Sequence, residues 1–269
     1  MKKYCFFCIF TIKYPQIYPK GLIMKILLAP SETKINGGNN RFDINKLSFP
    51  ALNSTRQKLL SVYTNIVTSN DKDSIKKIFG LKKDKDIEPF LTDITNEPIM
   101  KAIQRYTGVA FDYLEYNTLN KKAQIYIDNN VLLFSNLFGV LKASDYIPNY
   151  RLKQGEMLQD IKIDLIYKPE ITSILDKYLQ DDDILDIRAT YYDKFYKPSC
   201  KYTTLKFLKN GKVVSHWAKA YRGMVLKAIA LNNIQTIDEF LKLPIQGLAI
   251  QEIIEKKNYN QIIYEIDDA

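Results

Sequence analysis

Four short stretches carry the residues whose types and spacing could do chemistry, and each follows a strand-like apolar run. Strand ends are where ligand groups collect in α/β sheets. In Ala29-Pro30-Ser31-Glu32-Thr33-Lys34, Glu32 and Lys34 place a carboxylate and an ammonium in one turn, either to grip a polar ligand or to form a solvated loop. In Leu185-Asp186-Ile187-Arg188-Ala189, Asp186 and Arg188 alternate with apolar residues, so a strand would point both to one face. Such a pair either orients an anionic group or is a structural ion pair. The stretch Ser215 to Gly223 holds His216, the one histidine of the chain, with Lys219 and Arg222 within six residues. Together these three would make a positive corner suited to phosphate or to a developing anion. The stretch from Leu137 to Leu152 holds Gly139 between apolar residues, with Lys142 and Arg151 further on. A glycine there permits close backbone approach, as in a packed turn or the phosphate-contacting hairpin of a helix-hairpin-helix.

Charge supports an anionic partner. The 269 residues carry 39 Lys and Arg against 30 Asp and Glu, a net +9, and the excess is uneven. No Asp or Glu falls between Asp193 and Asp238, and this span holds Lys194, Lys197, Lys201, Lys206, Lys209, Lys212, Lys219 and Arg222. Such a run marks a basic face, although a Lys-rich composition raises lysine everywhere.

Several chemistries are excluded. The chain has no Walker A loop, no Rossmann glycine fingerprint, no His-Glu-x-x-His and no Gly-x-Ser-x-Gly. With one His and three Cys, a zinc hydrolase or a Ser-His-Asp triad is not supported. Cys5 and Cys8 have C-x-x-C spacing without a second pair, and Asp181-Asp182-Asp183 reads as a solvated turn, so no metal or cofactor is expected. The sparse cysteines fit a reducing cytosol. The apolar run Tyr4 to Ile12 is far short of the ~20 residues that span a bilayer. Residues 1–23 read as an extension upstream of a natural start at Met24, and 24–269 as one domain with no membrane segment.

The elements that must position these residues are strands and helices in alternation. Strand-like runs are Ile26–Ala29, Ile125–Ile127, Val131–Phe134, Ile184–Ile187, Thr203–Phe207 and Val213–Trp217, with a tight turn at Asp128-Asn129-Asn130 and a last strand at Ile262–Ile266. Asn210-Gly211 predicts a type I′ hairpin pairing the Thr203 and Val213 strands. Helices are expected over Ser54–Val67, Asp71–Phe79, Pro98–Gln104, Pro169–Leu179, Gly223–Leu231 and Ile237–Leu241, with Pro169 in a first turn. The fold class is therefore α/β, a mixed sheet with surrounding helices in a single domain.

The four stretches also carry a resemblance. Met24 to Lys34, Tyr106-Thr107-Gly108 through Leu114, Leu137 to Leu152, Asp186 to Tyr192 and Ser215 to Gly223 resemble, in order, the motifs of the YaaA family of peroxide stress proteins, also catalogued as UPF0246 or DUF328. Ala189 replaces a usual Ser, and the segment Gln251 to Ala269 lacks the family's Gly-Tyr. The resemblance implies a "cantaloupe" α/β architecture. It also implies a role in surviving hydrogen peroxide, through limiting free iron and binding double-stranded DNA in a basic cleft. On that reading Lys34, Gly139, Lys142, Arg151, Arg188, Lys206, Lys209, Lys212, Lys219 and Arg222 contact DNA or another polyanion. The alternative is an enzyme for a phosphorylated or nucleotide-like small molecule, with Glu32, Lys34, Asp186, Arg188, His216, Lys219 and Arg222 converging on one pocket. A cytosolic monomer is expected in either case.

Overall fold

The computed structural model describes residues 23–214 and 216–267, His216 by its backbone alone, so the expected extension lies outside the described residues except for Ile23. The strands are β1 (Lys25–Leu28), β2 (Asn39–Arg41), β3 (Pro98–Lys101), β4 (Val131–Ser135), β5 (Gly139–Lys142), β6 (Tyr146–Pro148), β7 (Ile184–Asp186), β8 (Tyr202–Lys209), β9 (Lys212–Val213), β10 (Leu248–Glu255) and β11 (Tyr259–Ile266). The helices are α1 (Asn53–Val67), α2 (Lys72–Phe79), α3 (Asp84–Ile87), α4 (Ala102–Arg105), α5 (Val109–Leu114), α6 (Lys121–Asn130), α7 (Ile163–Tyr178), α8 (His216–Leu231) and α9 (Ile237–Phe240).

Apolar runs decide which strands are central. Ile26, Leu27 and Leu28 in β1 and all five residues of β4 are buried, as a strand covered on both faces must be. The main sheet has the order β10-β11-β8-β7-β1-β4-β5, with β9 added beside β8, while β2, β3 and β6 form a small second sheet. The pairs β11·β8, β8·β7, β7·β1 and β1·β4 are parallel, and the pairs at β10, β5 and β9 are antiparallel. The sheet is mixed, as the sequence implies. At Asn210 and Gly211 φ is 51° and 71°, the two positive values a type I′ turn requires.

Register sorts side chains between the faces. Ile26 lies beside Val131 and Leu185, and Leu185 beside Thr203, so these share a face with Leu205 and Phe207. Tyr221 of α8 stacks on Phe207 with ring centres 5.7 Å apart. The Tyr126 hydroxyl of α6 donates to the Ile234 carbonyl, at 2.5 Å, just past α8. Helices α6 and α8 therefore cover that face. The other face carries Leu27, Asp186, Thr204 and Phe134, and α7 covers it, with the Tyr167 hydroxyl donating to the Leu137 carbonyl at 2.8 Å.

Several local expectations are corrected. Ile125–Ile127 is not a strand but part of α6. Its buried residues Ala123, Tyr126, Ile127 and Asn130 fall at i, i+3, i+4 and i+7, and the Asn120 side chain caps its start by accepting from the Ala123 amide. Asp128-Asn129-Asn130 is thus the end of a helix rather than a hairpin turn. Pro98–Gln104 divides into strand β3, paired with β6, and the helical turn α4. Helix α7 begins at Ile163, because Ile163, Tyr167, Ile171 and Leu175 bury at four-residue spacing, and Pro169 sits inside it. The expected Val213–Trp217 strand does not form: β9 ends at Val213 itself. Val213 and Trp217 are exposed, so nothing holds an inward alternation there, and helix α8 starts at His216.

Candidate functional site

Strand β1 lies between β7 and β4, and the chain leaves it first toward β4 and returns to β7 on its other side. The two parallel strands β1 and β7 continue in opposite directions across the sheet, so a crevice opens past their C-terminal ends. A cavity of about 500 Å³ fills this crevice. From β1 come Leu28 and the loop Ala29 to Glu32. Past β7 come Ile187, Ala189 and Tyr192, and α8 adds Lys219 and Arg222, one turn apart. Thr107 through Phe111, at and before the start of α5, and Gln154 complete the lining.

Close packing of α5 against α8 sets the width of this wall. A Cβ at Gly223 would fall 2.1 Å from the Ala110 carbonyl oxygen, so glycine is what allows the two helices to meet. This brings Phe111 and Arg222 to the same opening.

The first loop is held from behind by Lys34. Its Nζ donates to the carbonyls of Ser31 at 3.2 Å and Glu32 at 3.3 Å, and lies 3.9 Å from the Tyr150 ring centre and 5.1 Å from that of Tyr106. Burial, and then the Arg151 and Arg105 charges, push its pKa down to about 7 despite the nearby Glu32 carboxylate. Glu32 Oε1 accepts from the Gln154 amide at 2.9 Å, and Oε2 is 3.9 Å from Arg151. Arg151 itself donates to the Phe79 carbonyl at 2.9 Å.

Arg222 is the contrast. It lines the cavity, its pKa is lowered by burial against the opposing pull of Asp186, and it makes no hydrogen bond or ion pair among the described residues. Lys219, exposed at the mouth, is likewise without one. The Tyr192 hydroxyl also has no hydrogen-bond partner among the described residues, and burial raises its pKa. Arg222 and Lys219 with the Tyr192 hydroxyl can receive an anion at this recess, while the Glu32 carboxylate on the same lining is engaged by the Gln154 amide.

Not all the expected residues meet here. Glu32, Lys219 and Arg222 do, with Lys34 directly behind the loop. Arg188 is inside the protein: its guanidinium donates to Asp186 Oδ1 and Oδ2 at 2.9 and 2.6 Å and to the carbonyls of Tyr192 and Tyr196, over the Phe134 ring. Asp186 and Arg188 thus form the structural ion pair, and Arg188 has no donor turned toward the cavity. Gly139 is buried in the β4–β5 hairpin, φ +70°, with the Tyr167 ring 2.9 Å from where a Cβ would stand. It is the packed turn, out of reach of a phosphate. Lys142, on edge strand β5, lies over the Tyr178 ring at 5.6 Å. Lys206 alternates with Leu205 and Phe207 along β8, so it leaves the sheet on the face opposite α8. Lys209 and Lys212 flank the β8–β9 turn. The acid-free run is therefore spread over both faces of the sheet. The His216 side chain lies outside the described residues. Among those described, no group of three His, Cys, Asp or Glu is placed to hold a metal.

The motif order that frames this crevice is shared more widely. A family model described as "Peroxide stress protein YaaA" matches residues 24–253. The chain belongs to the peroxide stress protein YaaA family. It is 41% identical to the Campylobacter jejuni protein Cj0984 over 91% of this chain and all of the relative. It is 32% identical to a UPF0246 protein of Corynebacterium glutamicum over 85% of this chain and 95% of that one. Similarity to a UPF0246 protein of Fusobacterium nucleatum is 26%, over 88% and 97%. The YaaA-family match covers every segment that lines the cavity. Sequence reasoning about site chemistry missed Phe111, Gln154 and Tyr192. Tyr192 closes the Asp186 stretch, and its place just past a strand end was the available signal.

Proposed function

We propose that this YaaA-family protein works in the peroxide response by holding the phosphate group of a nucleotide-like ligand in the β1–β7 crevice. Arg222 and Lys219 receive the phosphate, and Phe111, Ile187 and Tyr192 offer a partly aromatic floor for the rest of the ligand. The observation that carries this reading is the Arg222 guanidinium, half-buried yet without a hydrogen bond or ion pair among the described residues. A half-buried charge with no bonded counter-ion favours the arrival of an anion. A calorimetric titration tests it with a nucleoside, its monophosphate and its diphosphate. Phosphorylated forms should bind, and Arg222→Gln should weaken them by about tenfold or more, as loss of a charge-assisted contact does. Equal binding of the bare nucleoside, or unchanged binding by the variant, would refute it.

A second reading is supported by the exposure of Lys194, Lys197, Lys201, Lys212 and Lys219. These give a basic surface for double-stranded DNA, whose protection from iron-driven damage would be the cytosolic role. Binding would then fall steeply between 50 and 200 mM salt. It would also weaken when Lys206, Lys209 and Lys212 are reversed to Glu, and indifference to both changes would count against it.

A further inference from the structure

A second cavity, of about 260 Å³, lies past the C-terminal end of β4 and against the first turn of α7. Two thin segments divide it from the crevice. Gln154 and Tyr192 face the crevice, while their neighbours Gly155 and Tyr191 face the second cavity.

Three features of this cavity await a ligand. Asn136 lines it at 7% exposure. Its Oδ1 is enclosed without a hydrogen-bond partner, and its Nδ2 has none among the described residues. Whichever way the amide is turned, it is a buried polar group with nothing to bond, which native interiors rarely tolerate. Helix α7, 16 residues long, has Lys162 at its N-cap position, which makes no side-chain cap. The Ile163 and Asp164 amides donate to no described group, so the positive end of the helix opens on the cavity. Finally, Lys162 and Lys194 line the space without a carboxylate partner among the described residues, Lys194 lying 5.1 Å from the Tyr191 ring centre.

The opposite charge is present too. Asp164 lines the cavity with no ion pair among the described residues, and Glu156, bonded to Lys153 at 3.3 Å, stands at its edge. A phosphate dianion would meet two carboxylates here. A zwitterion would not, since each of its ends finds the opposite sign. At about 30 Å³ per water the space holds on the order of nine solvent-sized groups, which suits a small molecule. We propose that this cavity binds a free α-amino acid. Its carboxylate lies against the α7 amides, Lys162 and Lys194, and its ammonium lies against Asp164 and Asn136 Oδ1. The site is independent of the phosphate crevice.

The experiment is isothermal titration of the full chain with each of the twenty standard amino acids, alongside their N-acetyl and carboxamide forms. At least one free amino acid should bind saturably, and blocking either end should abolish its binding. Asn136→Leu and Lys194→Gln should each weaken it by about tenfold, while Arg222→Gln leaves it unchanged. Lys194 is exposed, so its variant carries the test even if Asn136→Leu does not fold. Silence across all twenty, equal binding of blocked forms, or full affinity in Lys194→Gln would overturn the assignment.

Discussion

Replacing Lys34 with Met should make stability less dependent on pH, with a sign fixed by where the amine sits. In the folded chain its pKa is about 7, against 10.5 for an ordinary lysine. Below pH 7 the amine is charged in both states, and the folded protein bears the full burden of a buried ammonium beside Arg151 and Arg105. Between pH 7 and 10.5 the unfolded chain binds a proton that the folded chain does not, so stability rises with pH. Above 10.5 both forms are neutral and the burden is gone. The step from 10.5 to about 7 is worth up to about 5 kcal/mol, of which about 2–3 kcal/mol should appear between pH 7 and 9. Urea unfolding of the wild type and Lys34→Met at half-unit intervals from pH 6 to 9.5 measures it. The variant's advantage should be largest at pH 6 and shrink as pH climbs. A difference that stays flat, or grows with pH, would show that the Tyr150 ring and the two carbonyls hold Lys34 as an ordinary cation and that the reasoning is wrong.

Arg188→Met should destabilise by about 3–5 kcal/mol, because it strands the Asp186 carboxylate in the interior. Arg222→Met, which breaks no hydrogen bond or ion pair among the described residues, should cost less than about 1 kcal/mol. Chemical denaturation that reverses this order would contradict the division between a structural and a ligand-receiving arginine. Gly223→Ala should destabilise by about 1–3 kcal/mol, since its methyl meets the Ala110 carbonyl. The same variant should also weaken nucleotide binding by moving α5 off α8, and titration of the variant checks this.

Much of the central sheet was legible because its strands are short apolar runs bounded by turn residues. Ile26–Leu28, Val131–Phe134 and Thr203–Phe207 fall where the pattern puts them, and Asn210-Gly211 dictates its turn. Ile125–Ile127 misled because three apolar or aromatic neighbours look alike in a strand and on a helix, and only the longer spacing from Ala123 to Asn130 separates them. At the site, Glu32 was legible from charge placed just past a strand end, whereas Lys219 and Arg222 were singled out by a strand end that proved to be the start of α8. Arg188 was not separable by type, since an alternating Asp and Arg reads the same whether the pair faces a ligand or the core. Arg56 and Arg105, both fully buried, gave no sign at all. Their guanidiniums bond mainly backbone carbonyls, of Ser48, Phe138 and Val140 for Arg56 and of Ile35, Pro98 and Ile147 for Arg105. Carbonyl partners leave no trace in residue identity.

The place of β11 bears on how the chain is made. It is inserted between β8 and β10, in parallel register with β8 from Tyr202 to Leu208, and it lies beyond residue 253, where the family match ends. During synthesis β8 therefore waits with an open hydrogen-bonding edge while more than fifty further residues leave the ribosome. Until Tyr259–Ile266 arrives, that edge is a template for any other extended chain. A nascent polypeptide cut short near residue 253 would keep the crevice-lining residues in its sequence yet present a sticky flank. Aggregation, rather than a loss of binding chemistry, would be its characteristic failure.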